Sequence, residues 1–203
     1  RLTDIPARES RFRADEVVYM SIGDGATSEG EFWEALNTAC TRVTPVLFMV
    51  EDNGYAISVP VEVQTPGGDV SKLAKSFPQL TVFRCDGTDF LEGYRVDGDA
   101  GDAAPYIRRE RKPAFVHAKV IRPYSHSLSD DERLYKPAEE REAEARRDPL
   151  GRMRAFLKDE GLATDADFEA ILADVDREVL AATDAALAAP KPAAETADWY
   201  VYS

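Results

Sequence analysis

The residues of this chain best able to do chemistry fall in two turns and one loop. Gly23-Asp24-Gly25 and Asp52-Asn53-Gly54 place a carboxylate and a side-chain amide oxygen in short polar turns. Both are hard oxygen donors of the kind that Mg2+ takes. Glycines beside Asp24 let the backbone turn sharply, and a helix beginning within a few residues offers unpaired N–H groups to a phosphate. Taken alone, a strand followed by Gly-Asp-Gly is a common tight turn. The conjunction changes that reading: an apolar strand leads into each turn, and the 27 residues 26–52 separate Gly25 from Asn53. Together the turns read as a cradle for a diphosphate and its metal. The loop is Arg122-Pro123-Tyr124-Ser125-His126-Ser127-Leu128-Ser129-Asp130-Asp131. There His126 could donate a hydrogen bond or shuttle a proton near neutral pH, and Arg122 could pair with phosphate oxygens. A solvated loop with an idle histidine is the bland alternative.

These turns need elements to hold them. Four short apolar segments, residues 17–22, 46–50, 80–84 and 114–121, read as buried parallel strands. Between them the pattern over 29–42 predicts a helix with Phe32, Leu36, Ala39 and Cys40 on one face. Strands alternating with helices predict an α/β fold whose parallel sheet carries helices on both faces. Ligands of such sheets bind beyond the carboxyl ends of the strands, which is where the two turns would lie side by side. His117 alternates within the last strand and reads as structural.

Residues 122–133 are too polar for core and too long for a simple turn, and read as a mobile functional loop or a disordered connector. Residues 97–105, rich in Gly, Asp and Ala, read as a surface loop. Residues 137–147 are highly charged. Phe168, Ile171, Leu172, Val175 and Val179 then repeat at helical spacing until Pro190 and Pro192, with Thr164 and Asp167 as the cap. The expected organisation is residues 1–135 as the diphosphate- and metal-binding part, 136–190 as a helical C-terminal extension, and 191–203 as a linker or the start of a following segment.

Composition narrows the function classes. In 203 residues, 44% hydrophobic and 31% charged, 25 Lys and Arg stand against 38 Asp and Glu, for a net charge of −13. General attraction to nucleic acid or anionic lipid is therefore not expected. The two cysteines, Cys40 and Cys85, fall in helix and strand patterns, which argues against a disulfide scaffold. Without a membrane-length apolar run or a signal-peptide pattern, the expected location is the cytoplasm. A strand pattern almost at the first residue and an aromatic run at 199–203 suggest a piece of something longer.

Gly23-Asp24-Gly25, the spacer and Asn53 resemble the thiamine diphosphate-binding motif. Residues 23–58 are similar to the alpha subunit of the decarboxylating first component of 2-oxo acid dehydrogenases, and the similarity continues more loosely to Tyr135. The resemblance implies a thiamine diphosphate-binding fold in which Asp24 and Asn53 ligate Mg2+ through their side chains and Tyr55 through its main-chain carbonyl. Gly25, Ala26 and Ser28 would face the diphosphate. The loop resembles the family's active-site loop, so that Arg122 and His126 would reach the diphosphate end of the cofactor and His126 would position the acyl group for transfer to lipoamide. Ser127 matches a position that kinases modify in some members. One departure is Asp52, where the family commonly has a first asparagine, so that an extra carboxylate stands beside an anionic cofactor.

The implied reaction is decarboxylation of a 2-oxo acid on thiamine diphosphate, followed by reductive acylation of a lipoyl group. Ser28-Glu29-Gly30, residues 53–58 with Pro60, and Ser129-Asp130-Asp131 look more like the branched-chain version than the pyruvate version. The carboxylate that activates the cofactor lies on the beta subunit in this family. The resemblance therefore implies a beta subunit or fused beta region, an α2β2 heterotetramer or its fused equivalent, and the lipoyl domain of the acyltransferase core as partners. Another thiamine diphosphate enzyme, transketolase-like or a non-oxidative decarboxylase, would share the first motif but lack the His-Ser-x-Ser-Asp loop. A metal-dependent phosphohydrolase would need a nucleophile motif before Asp24. A non-catalytic interaction module would draw on the acidic surface and the long C-terminal helix.

Overall fold

Strand β1 (Val18–Gly23) runs from an exposed edge into a short 3-10 turn, Asp24–Ser28, from which helix α1 (Gly30–Arg42) starts. The computed structural model describes residues 15–96, 102–197 and 199. Helix α1 stops where Val43 turns left-handed and donates its N–H to the Ala39 and Cys40 carbonyls. There follow β2 (Val46–Asp52), a small antiparallel hairpin of β3 (Tyr55–Ala56) and β4 (Val59–Pro60), and the short helices α2 (Val61–Gln64) and α3 (Val70–Ala74). Then come β5 (Thr81–Asp86), α4 (Phe90–Arg95), α5 (Ala103–Glu110) and β6 (Ala114–Lys119).

The four long strands form a parallel sheet in the order β1-β2-β6-β5, as the α/β pattern predicts. Because side chains alternate along a strand, the central strands feed two separate cores. Phe48, Val50 and Phe115 pack with Phe32, Leu36 and Ala39 of α1 and with Val70 and Ala74 of α3. On the other face Leu47, Ala114, Val116 and Ala118 pack with Ala103, Tyr106 and Ile107 of α5 and with Phe83 and Cys85 of β5. The face of α1 read from its periodicity is the buried one. Cys40 and Cys85 are buried free thiols, the first on α1 and the second on β5 in the core that packs against α5.

Of the loop expected at 97–105, residues 97–101 lie outside the described ones, and Ala103 to Pro105 form the first turn of α5. Proline is tolerated there because the N–H groups of a first turn have no intrahelical acceptor. Residues 122–133 are not a bare connector: hydrogen bonds tie them to the hairpin and to a 3-10 turn, Glu132–Leu134. The charged stretch that follows folds as α6 (Ala138–Ala145).

The chain clusters into two compact units that divide between Met153 and Arg154, within α7 (Pro149–Asp159). The first therefore extends past residue 135. In the second, α8 (Asp165–Ala188) opens with a capping box: Asp167 N–H donates to Thr164 Oγ1, and the Thr164 N–H and hydroxyl both donate to Asp167 Oδ2. Arg154 and Lys158 pair with Asp165. The apolar stripe of α8, including Ile171, Leu172, Val175 and Val179, is exposed. Among the described residues no helix is long and apolar enough to cross a membrane.

Candidate functional site

Register puts the two polar turns together: Gly23 of β1 pairs with Glu51 of β2, so both strands deliver their next residues at the same edge of the sheet. Asp24, 1% exposed, opens the 3-10 turn, and the Thr27 hydroxyl donates to its carbonyl at 2.7 Å. Its carboxylate is held from both sides. Oδ1 accepts the Asn53 main-chain N–H at 3.3 Å, and Oδ2 accepts Gln64 Nε2 at 2.9 Å. Burial, and then the neighbouring Asp52 carboxylate, push the Asp24 pKa up to about 6. Gly25 is required by close approach, since a Cβ there would lie 2.9 Å from that of Ala56 in β3. Ala26 and Ser28, in the same turn, are exposed.

Asn53 closes the second turn on itself, its Oδ1 accepting the Tyr55 N–H at 3.1 Å while Gly54 takes a φ of +83°. Asp24, Gly25, Asn53 and Tyr55 are thus brought together by β1, β2 and the hairpin. Among the described residues no cluster of three or more His, Cys, Asp or Glu side chains could hold a metal ion. A cation here would rely on one carboxylate, one amide oxygen and one main-chain carbonyl.

Asp52 has partners of its own. Its Oδ1 accepts the Gly54 N–H at 2.9 Å, while Oδ2 meets His117 Nε2 at 2.6 Å and Lys119 Nζ at 2.5 Å. Burial works to raise its pKa, but the His117 and Lys119 contacts prevail and hold it at about 2. On its other side His117 Nδ1 lies 3.5 Å from Asp69 Oδ1, and Asp69 pairs with Arg84 at 2.6 Å. The carboxylate that departs from the family pattern therefore has its own basic partners. His117 is 3% exposed. The role of Lys119 escaped the sequence reading, although two basic residues two apart in a strand share a face and could have drawn attention.

The loop reaches the hairpin through Arg122. Its Nη1 donates to the Ile57 carbonyl at 2.7 Å and its Nη2 to the Tyr135 hydroxyl, while Nε is buried without a hydrogen-bond partner. The guanidinium lies 5.8 and 5.7 Å from the Tyr55 and Tyr135 ring centroids. Tyr55 is fixed further by its hydroxyl, which donates to Glu140 at 3.1 Å, and by the buried Lys136, whose ammonium pairs with Glu144 and lies 5.2 Å from the ring centroid. Burial and Glu140 push the Tyr55 phenol up to about 12. Sequence reasoning missed Gln64, Tyr135, Lys136 and Glu140, because none belongs to a local pattern that announces a contact with the turns.

His126 is exposed, and its main-chain N–H donates to Asp130, which also accepts the Tyr135 hydroxyl at 2.6 Å. Ser127 Oγ lies 3.2 Å from Ser129 Oγ. Tyr124, Ser125, Ser127, Leu128, Asp130 and Arg141 line an open groove beside the loop. The structure thus links Arg122 to the Tyr55 hairpin and leaves the His126 side chain on the outer part of the loop.

The alpha subunit of 2-oxoisovalerate dehydrogenase from Bacillus subtilis (strain 168) is 35% identical over 193 residues, 94% of this chain and 57% of that one. The alpha subunit of 3-methyl-2-oxobutanoate dehydrogenase from Mycobacterium tuberculosis (strain H37Rv) is 38% identical over 152 residues, 75% of this chain and 40% of that one. The pyruvate dehydrogenase E1 component subunit alpha of Mycoplasma pneumoniae is 33% identical over 168 residues, 82% and 45% of the two chains. This chain spans about half the length of these curated relatives. The model of the dehydrogenase E1 component family matches residues 6–195, and the chain belongs to that family.

Proposed function

We propose that this chain is the metal- and diphosphate-holding alpha part of a thiamine diphosphate-dependent 2-oxo acid dehydrogenase. The observation that carries the reading is the convergence of Asp24, Asn53 and the Tyr55 backbone at the ends of two adjacent parallel strands, with Gly25 packed against Ala56. The donor set suits Mg2+, which takes hard oxygen ligands. Asp24 Oδ1 accepts from the Asn53 N–H and Oδ2 from Gln64 Nε2, which leaves further acceptor capacity for a cation. Asp24 and Asn53 would hold the ion by their side chains and Tyr55 by its carbonyl. Gly25, Ala26 and Ser28 would present the 3-10 turn to the diphosphate.

Thiamine diphosphate supplies, when bound, the carbon at which a 2-oxo acid loses CO2. The residues of this chain hold and orient it. Arg122, already anchored to Ile57 and Tyr135, keeps the loop on the hairpin, and a remaining Nη hydrogen would meet a phosphate oxygen. His126, with an exposed ring, would move a proton and position the acyl group for transfer to a lipoyl domain. A beta subunit or fused beta region in an α2β2-type assembly would contribute the carboxylate that activates the cofactor. Branched-chain 2-oxo acids are favoured over pyruvate on the resemblance of residues 28–30, 53–58 and 129–131.

The test is 2-oxo acid-dependent reduction of an artificial electron acceptor by the intact protein with its beta partner. Turnover should require both thiamine diphosphate and Mg2+, favour 3-methyl-2-oxobutanoate over pyruvate, and fall more than about 100-fold in Asn53→Ala. Turnover of neither acid despite cofactor binding would point to another thiamine enzyme, and a preference for pyruvate would reverse the substrate assignment.

A further inference from the structure

We propose that Gln64 is a positioning residue of the metal site: its amide bridges the Asp24 carboxylate and the Ser28 hydroxyl, holding the metal side and the diphosphate side of the cradle in one geometry. The inference rests on the reading of Asp24 as a metal ligand. Gln64 is the last residue of α2, which grows directly out of the hairpin that follows Asn53. Val61, 6% exposed, donates its N–H to the Gly54 carbonyl at 2.8 Å, and the buried Thr65 donates its own to Val61 at 2.8 Å. The chain that leaves the second turn therefore folds back across the first, carrying Gln64 with it.

The orientation of the amide follows from its partners. An ionised carboxylate only accepts, so Nε2 must face Asp24 Oδ2, at 2.9 Å, and Oε1 then accepts the Ser28 hydroxyl at 3.0 Å. With the Asn53 N–H on Oδ1, both carboxylate oxygens are fixed by neutral donors. A neutral donor orients an anionic ligand without setting a positive charge against the incoming cation. Groups that orient a metal ligand in this way typically change metal affinity by about 10- to 100-fold.

The test is calorimetric titration of thiamine diphosphate into the intact protein with its beta partner, over a series of Mg2+ concentrations, together with cofactor-free thermal midpoints. Gln64→Met keeps the length and removes both polar arms, whereas Gln64→Glu replaces the donor by a second carboxylate facing Asp24. The Mg2+ needed for half-maximal binding should rise about 10- to 100-fold in Gln64→Met and further in Gln64→Glu. Excess Mg2+ should restore binding even where the loss of a donor to the buried Asp24 carboxylate lowers the cofactor-free midpoint. An unchanged Mg2+ requirement would overturn the role of Gln64 while leaving the cofactor assignment intact. A lowered midpoint with no recovery in excess Mg2+ would make Gln64 a structural residue instead. Cofactor binding that is absent or independent of Mg2+ in the wild type would remove the assignment itself, and this inference with it.

Discussion

Asp24 and Asp52 are both 1% exposed and sit at the ends of neighbouring strands, yet their surroundings treat them in opposite ways. Asp24 has only neutral donors, and burial with the Asp52 charge pushes its pKa up to about 6. Asp52 has His117 and Lys119 and is held at about 2. Of those two partners the buried one should matter more to stability. His117→Ala leaves a buried carboxylate and Asp69 short of a partner, and should cost about 1–3 kcal/mol. Lys119→Ala removes a side chain that is 50% exposed and should cost less than about 1 kcal/mol. Urea unfolding of the two variants checks the order; an equal or larger loss in Lys119→Ala would contradict it. At this scale the sequence made Asp24 and Asn53 readable, because spacing and strand ends are local features. Gln64 and Lys119 were not, since their contacts exist only after the hairpin folds back and the strands take up their register.

Periodicity made the main elements legible. The four strands are each encoded by a short run of apolar residues and α1 by helical spacing, and the buried face of α1 is the one that spacing indicates. The β3–β4 hairpin, α2 and the hydrogen bonds of the loop after β6 were not, because they depend on long-range contacts rather than on pattern. Arg122 joins residues 122 and 57, and Tyr55 joins residues 55 and 140. A similar long-range tie closes the end of β5, where Asp86 meets Arg147 at 3.0 Å and Arg152 at 3.2 Å and accepts from Thr88. Burial works to raise the Asp86 pKa, but hydrogen bonds from Thr88, Arg152 and Arg147 bring it from 3.8 to about 2. A depressed carboxyl stabilises the folded state above its unfolded pKa and loses that contribution as pH falls through the folded one. Relative to Asp86→Asn, the wild type should therefore keep a constant stability advantage above about pH 5 and lose it as pH falls towards about 2. Acid unfolding of both proteins measures this, and an advantage that persists undiminished to pH 2 would contradict the tie.

Taken whole, the chain is an acidic α/β unit of the dehydrogenase E1 component family, followed by a separate helical unit with an exposed apolar stripe. It spans about half the length of its curated relatives, and the reaction proposed above is one for the intact protein. Fold class was legible from alternating strand and helix patterns. The proposed cofactor-activating carboxylate of a beta partner was not, because a residue of another chain would leave no trace in this one. The most direct test of the central claim is a crystal structure of the intact protein with thiamine diphosphate and Mn2+ as an anomalous stand-in for Mg2+. The account predicts one metal peak about 2.0–2.3 Å from an Asp24 carboxylate oxygen, Asn53 Oδ1 and the Tyr55 carbonyl, with the diphosphate against Gly25 and Ala26. A metal bound elsewhere, or a diphosphate held without these three oxygens, would contradict it.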